Sequence, residues 1–301
     1  MHPKHYLTGL LAFTAVLSSG MTDTAAAKAP KMKHVVMIGS DGFSAEVVTK
    51  NPGKFPNLER MMRDGSYTLE ARSVLPSSSA INWATLLMEA GSEMHGFTEW
   101  GSKTPEVEPI YVNQWGFFPG IFGEVRQQMP EAVTGVVYSW DGIGYLFEKD
   151  AVDYALSTDS DDDEATRKFC AFLKEKQPTL AFIHLAQPDG AGHSIGWMTP
   201  EYVAACQKID SLVGVIYDCV QQHMDPKSTA VIFTSDHGGK GMVHGGKTMV
   251  EMETPYVIVG RGIPANQPIE RIVMRYDNAP TIAHLLRLKA PEQWYGKSVL
   301  R

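Results

Sequence analysis

The stretch TAVIFTSDHGGKGMVHGG (Thr229–Gly246) decides how this chain is read. It opens on a short apolar run of the kind that forms a buried strand. The run ends in Asp236-His237, and a glycine-rich turn leads on to His244. Such a strand points its terminal side chains into a crevice at its C-terminal edge, where open α/β sheets bind ligands. The fold and the chemistry then depend on whether other strands deliver partners to the same edge.

Two others do. HVVMIG (His34–Gly39) reads as a strand and runs into Ser40-Asp41-Gly42. TLAFIHL (Thr179–Leu185) reads as a strand and is followed by AQPDGAGHSIG, with Asp189 and His193 four residues apart. TGVVYSW (Thr134–Trp140) and TPYVIVG (Thr254–Gly260) are further strands. Helical spacing recurs between them, at SAEVVTK, at Ile81–Gly91, at DEATRKFCAFLKEKQ, in the long run from Pro200 to Met224, and at APTIAHLLRL. Strands alternating with helices predict βαβ units and a largely parallel sheet covered on both faces.

In a parallel sheet all C-terminal strand ends lie on one edge. Asp41, Asp189, His193, Asp236, His237 and His244 are therefore expected to converge. Singly each has an ordinary reading, as a turn residue or a surface histidine. Together they are three carboxylates and three imidazoles, a donor set suited to zinc or a similar divalent ion. Six ligands exceed one tetrahedral ion and match two ions with open positions. Three serines, Ser77 to Ser79, precede the helix at Ile81. A helix N-terminus favours phosphate, and Ser79 is the candidate nucleophile, its ordinary reading being an N-cap.

A net charge of −7 and a pI near 5.8 give no electrostatic footprint for nucleic acid. At the N-terminus Lys4 and His5 precede an apolar run, Leu7 to Leu17, and then TAAAKAP. This reads as a cleaved signal peptide over 1–27, its apolar run too short to span a bilayer comfortably, followed by one exported catalytic domain over 28–301. A segment around 101–145, rich in aromatics, Gly and Pro, suits a cap of loops over a pocket. The acidic run Ser157–Lys168 reads as a solvated loop and helix start. Cys170, Cys206 and Cys219 read as buried free thiols, since an odd number leaves one unpaired and Cys206 and Cys219 lie thirteen apart on one helix.

The motifs SDGFSAEVV, SSSAINWATLLMEAGSEMHG, PDGAGHSIG and SDHGGKGMVHGG resemble the alkaline phosphatase superfamily, specifically its type I phosphodiesterase and nucleotide pyrophosphatase branch. The resemblance runs from about Lys33 to Leu288. It implies a three-layer α/β/α sandwich with two zinc ions, one held by Asp189, His193 and His244, the other by Asp41, Asp236, His237 and the nucleophile oxygen. Ser79 falls on the family's nucleophile, and Asn82 on a residue that braces its loop. The resemblance further implies a small phosphate-ester substrate and a covalent phospho-serine intermediate. Ile81 stands where the family often has Pro. Trp100 stands where the family's phosphodiesterases place an Asn against a phosphoryl oxygen, so that role is expected of the ions, the Ala80 N–H or Asn113. A sulfatase is disfavoured because SSSAINW lacks the Pro and Arg of that motif. A phosphomonoesterase assisted by Lys240 or Lys247, and a non-catalytic metal- or phosphate-binding relative, stay open.

Overall fold

The computed structural model describes residues 31–300, so the leader read at 1–27 lies outside the described residues. Eight strands build one sheet: β1 His34–Ser40, β2 Ser66–Arg72, β3 Thr134–Tyr138, β4 Tyr154–Ser157, β5 Leu180–Leu185, β6 Thr229–Ser235, β7 Glu253–Gly260 and β8 Gln267–Pro268. Their order is β4-β3-β5-β1-β6-β7-β2-β8. From β4 to β6 every pairing is parallel, so β1, β5 and β6 end side by side. β7 runs antiparallel to both β6 and β2, which makes the sheet mixed at one side.

Among the described residues ten α-helices flank it: α1 Ala45–Lys50, α2 Pro56–Asp64, α3 Ser79–Met88, α4 Ser92–His95, α5 Ile121–Gln128, α6 Asp162–Lys176, α7 Asp189–Ile195, α8 Pro200–His223, α9 Met249–Met252 and α10 Asn278–Leu286. β1 shows why the sheet is covered twice. Val35 and Met37 face a core shared with α3, α5 and α10, while Val36 and Ile38 face a second core shared with α1, α2, α6 and α8. Side chains alternate across a strand, and here both faces are apolar, as a doubly covered sheet requires. The result is the expected α/β/α sandwich. Among the described residues no helix is long and apolar enough to cross a membrane.

The structure departs from the sequence reading at three strands. β2 reads SYTLEAR, with a polar residue at most positions, and β4 and β8 are four and two residues long. Within 101–145, α5 and β3 belong to the sandwich itself, with Ile121, Phe122, Val125 and Val136 in its core. The acidic run is only partly solvated. Asp161 caps α6 by accepting from the Glu164 N–H at 2.8 Å, whereas the buried Asp162 carboxylate accepts from the Ala186 and Gln187 N–H groups at 2.7 and 3.1 Å.

Candidate active site

Asp41 is the first residue beyond β1, and two glycines place it. A Cβ on Gly39 would lie 2.5 Å from Cη2 of Trp83, so the absent side chain makes room for the indole. Trp83 then donates from Nε1 to Asp41 Oδ2 at 3.0 Å. Gly42 adopts φ +69°, and a Cβ there would sit 2.8 Å from the Asp189 Cα. Only glycine allows the β1 and β5 loops to approach so closely. The Asp189 N–H closes the junction on the Asp41 carbonyl at 3.1 Å.

Six residues predicted to converge do so. One ligand atom each from Asp189, His193 and His244 lie within 4.8 Å of one another, as do atoms from Asp41, Asp189 and His237. Asp236 joins them through Oδ2, 3.2 Å from His237 Nε2, while its Oδ1 accepts from the Gly42 N–H at 3.0 Å. Ser79 Oγ lies 3.1 Å from His237 Nε2 and 3.4 Å from Asp41 Oδ1. Ser78, not Ser79, is the N-cap of α3, and its side chain makes no capping bond; Ser79 is the first helical residue.

The three histidines share one arrangement. Nδ1 of His237 faces the Gly238 carbonyl at 2.8 Å, Nδ1 of His193 the Met242 carbonyl at 3.0 Å, and Nδ1 of His244 the Ser77 carbonyl at 3.1 Å. A carbonyl only accepts, so each Nδ1 carries a proton and each ring turns its Nε2 inward. Those nitrogens meet carboxylates: His193 and His244 Nε2 lie 3.6 and 3.7 Å from Asp189 Oδ1, and His237 Nε2 lies 3.5 Å from Asp41 Oδ1.

Electrostatics sharpen the point. Burial, with the neighbouring His244 second, holds His237 down to about 3, so its ring is neutral. Burial also lowers His244. Asp189 is pushed up to about 8 by burial and by the Asp41 charge, and Asp236 well above the carboxylate range by the same two causes. Asp41 itself is pulled down to about 2; burial opposes this, but the His184 hydrogen bond and the His237 and His184 fields outweigh it. Asp189 Oδ1 and Asp236 Oδ2 are buried without a hydrogen-bond partner. Imidazole lone pairs facing crowded carboxylates, with unpartnered oxygens among them, are reconciled by a cation. Mixed nitrogen and oxygen donors suit a divalent transition metal.

Asn82 does not reach the cavity. It holds the serine loop from behind, accepting from the Val74 N–H at 2.7 Å and donating to the Pro76 and Ser78 carbonyls at 3.0 Å each. Two expected oxyanion donors are engaged elsewhere. The Ala80 N–H donates to the Trp100 carbonyl at 3.1 Å. Asn113 lies in the loop before α5, where Nδ2 donates to Glu148 at 2.9 Å and Oδ1 accepts from the Trp115 and Phe117 N–H groups. It does not line the cavity above Ser79. Trp100 does, and it is 67% exposed.

His184 was not anticipated. It sits inside β5, fully buried, and donates from Nε2 to Asp41 Oδ2 at 3.1 Å. Its only sequence signal is one imidazole in the apolar run LAFIHL. Arg275 was also missed. It is buried and donates to Thr234 Oγ1 and the Ser235 carbonyl, while Ser73 Oγ donates to the Asp236 carbonyl at 2.6 Å. These two clamp the backbone that presents Asp236 and His237.

The cavity over Ser79 has a volume of about 570 Å3. Asp41, Asp189, His193 and His244 form its floor with Ser79, and Trp100, Trp140, Gln187 and Val243 stand around it. No lysine or arginine is among its lining residues.

A sequence profile described as type I phosphodiesterase / nucleotide pyrophosphatase matches residues 35–284. The chain is 22% identical to human ectonucleotide pyrophosphatase/phosphodiesterase family member 1 over 295 residues, 86% of this chain and 30% of that protein. It is 22% identical over 252 residues to the bis(5'-adenosyl)-triphosphatase ENPP4 of Pongo abelii, 76% of this chain and 52% of that protein. It thus spans a third to a half of the length of these relatives. Among solved structures, an inactive variant of murine ectonucleotide pyrophosphatase/phosphodiesterase 5 in complex with AMP superposes with a TM-score of 0.70 at 16% identity, covering 87% of this chain and 96% of that one. BT1596, a 2-O GAG sulfatase, shares the fold with a TM-score of 0.70 at 12% identity, covering 89% and 73%. The profile match spans most of the chain, and this protein belongs to the type I phosphodiesterase/nucleotide pyrophosphatase family.

Proposed function

We propose that this chain is an exported, zinc-dependent phosphodiesterase that cleaves small phosphate diesters through attack by Ser79. The observation that carries the reading is the position of the Ser79 hydroxyl, 3.1 Å from an imidazole nitrogen with a free lone pair and 3.4 Å from the Asp41 carboxylate. A hydroxyl so placed can lose its proton and attack phosphorus. Two divalent ions, zinc by the donor set, would be held by Asp189, His193 and His244 and by Asp41, Asp236, His237 and Ser79. When bound they would supply Lewis-acid stabilisation of the developing charge.

The chain's own residues do the rest. Asp41 is oriented by His184 and Trp83, and the three histidines by the carbonyls behind them. Asn82 fixes the loop that presents Ser79. A covalent phospho-serine ester follows from the attack, and water then hydrolyses it. Expulsion of the leaving group is in line with the attack.

The cationless lining favours a diester over a monoester, which carries an extra charge and usually meets a lysine or arginine. Lys240 and Lys247 stand outside the lining. Trp100 and Trp140 offer flat apolar walls for the ester substituents. Relatives named as ectonucleotide and venom enzymes support export, in keeping with the leader-like N-terminus.

The test is turnover of bis-p-nitrophenyl phosphate against p-nitrophenyl phosphate with added zinc. Diester preference supports the reading. Monoester preference moves the assignment to a phosphomonoesterase, and zinc binding without turnover of either moves it to a non-catalytic relative.

A further inference from the structure

Cys170 on α6 and Cys219 on α8 are 49 residues apart in sequence, and the packing of those helices brings them together. Cys219 Sγ donates to the Cys170 carbonyl oxygen at 3.6 Å, which sets the two cysteines side by side across the α6–α8 contact. Cys170 is half-buried, so a small oxidant has a way in, while Cys219 is buried at the inner edge of the same core. Interaction between the neighbouring thiols lowers that of Cys219 below its usual range and raises that of Cys170. One sulfur of the pair is thereby favoured as thiolate, the form that attacks a disulfide. Cys206 is a built-in control: it sits buried on α8, thirteen residues or about 20 Å along the helix from Cys219.

What the two helices carry gives the contact its meaning. At the start of α6, Asp162 holds the Ala186 and Gln187 backbone, which leads directly to Asp189. α8 packs against α7, which carries Asp189 and His193. The frame of one half of the metal-suited cluster thus hangs from α6 and α8.

We infer that Cys170 and Cys219 form a disulfide when the chain meets a thiol-oxidising environment, cross-linking α6 to α8 and bracing the loop that bears Asp189. The reaction is thiol–disulfide exchange. The protein dithiol and a low-molecular-weight disulfide give the protein disulfide and two small thiols. Two electrons pass from the protein sulfurs to the oxidant, and the two protons leave with its thiols. The bond closes a loop of about 50 residues, long enough for the chain-entropy effect to be substantial. This inference does not rest on the proposed catalytic activity.

The experiment takes the whole chain, reduces it, and equilibrates it with glutathione disulfide and glutathione. Free thiols are then alkylated, and the digest is read by mass spectrometry. The expected product is a linked peptide pair containing Cys170 and Cys219, 2 Da lighter than the dithiol, with Cys206 alone alkylated. The oxidised form should melt on the order of 5 °C or more above the reduced form. Cys170→Ser and Cys219→Ser should each abolish both the link and the shift, and Cys206→Ser should keep them. Three alkylated thiols after equilibration, a bridge through Cys206, or a bridged form melting with the reduced one would overturn the inference.

Discussion

Nε2 of His237 lies 3.1 Å from Ser79 Oγ and 3.2 Å from Asp236 Oδ2, with its own proton held away on Nδ1 by the Gly238 carbonyl. A hydroxyl, a carboxylate and an imidazole lone pair therefore meet at one buried point. This geometry invites a cation, and each neighbour of that point can be tested for its part in holding one.

His184 is the most specific of them. It touches no cavity, yet with Trp83 it holds Asp41 Oδ2. Outer partners of metal-ligating carboxylates typically change metal affinity or activity 10- to 100-fold. His184→Phe should lower kcat by about that factor and weaken zinc retention against a chelator in parallel. His184→Gln should recover part of both, because an amide can still donate to Asp41. Equal zinc retention in the Phe variant and the native chain would remove His184 from the account.

Metal removal is the second. Stripped of metal, the carboxyls of Asp189 and Asp236 stay crowded against Asp41 and the inward-facing lone pairs. Chelation should abolish diester turnover and lower Tm, because a ligand that binds only the folded state stabilises it by mass action. Added zinc should restore both. Full activity after exhaustive chelation would contradict the assignment of the cluster.

His95 makes the fold acid-sensitive. It is buried beneath α3, accepts from the Phe97 N–H at Nδ1 and pairs with Thr85 Oγ1 through Nε2. Burial holds it down to about 3 from an ordinary 6.5. Between those values the unfolded chain binds the extra proton, so the contribution is full above pH 6.5 and is lost as pH falls toward 3. His95→Gln should flatten the fall of Tm between about pH 7 and pH 5 relative to the native chain. Parallel curves would show that His95 carries no such linkage.

Glu89 acts in the opposite sense. It ends α3 with φ +64°, is buried, and accepts from the Gly296 N–H. Burial above all, helped by Asp277, pushes it up to about 9 from 4.5. The folded chain holds the proton across that window, so this contribution is full below pH 4.5 and is lost as pH rises to 9. Glu89→Gln keeps an acceptor for Gly296 and never ionises. Its Tm should gain on that of the native chain as pH is raised from about 5 to 9; a constant difference would refute this.

Much of the site was legible because apolar runs that stop at Asp41, Asp189 and Asp236 announce both a strand and what it delivers. What stayed hidden depends on tertiary contact. A lone imidazole in LAFIHL looks like any buried histidine until β1 is set beside β5. Asn113, one of three candidates for the oxyanion, lies in the aromatic segment, and only the fold shows that Glu148 takes it. The Ala80 N–H looked free as a first-turn donor, and the loop that returns the Trp100 carbonyl to it has no sequence signal. β2 escaped because polar residues fill most of its positions, and nothing in TPYVIVG marks β7 as running antiparallel to its neighbours.

The central claim is that Ser79 is the attacking group within a cluster whose six carboxylates and imidazoles suffice to retain the divalent ions. Ser79→Ala should lower kcat on bis-p-nitrophenyl phosphate by at least about 10^3-fold while the purified variant keeps most of its zinc. A variant that retains activity within a few-fold of the native chain, at equal zinc content, would contradict it.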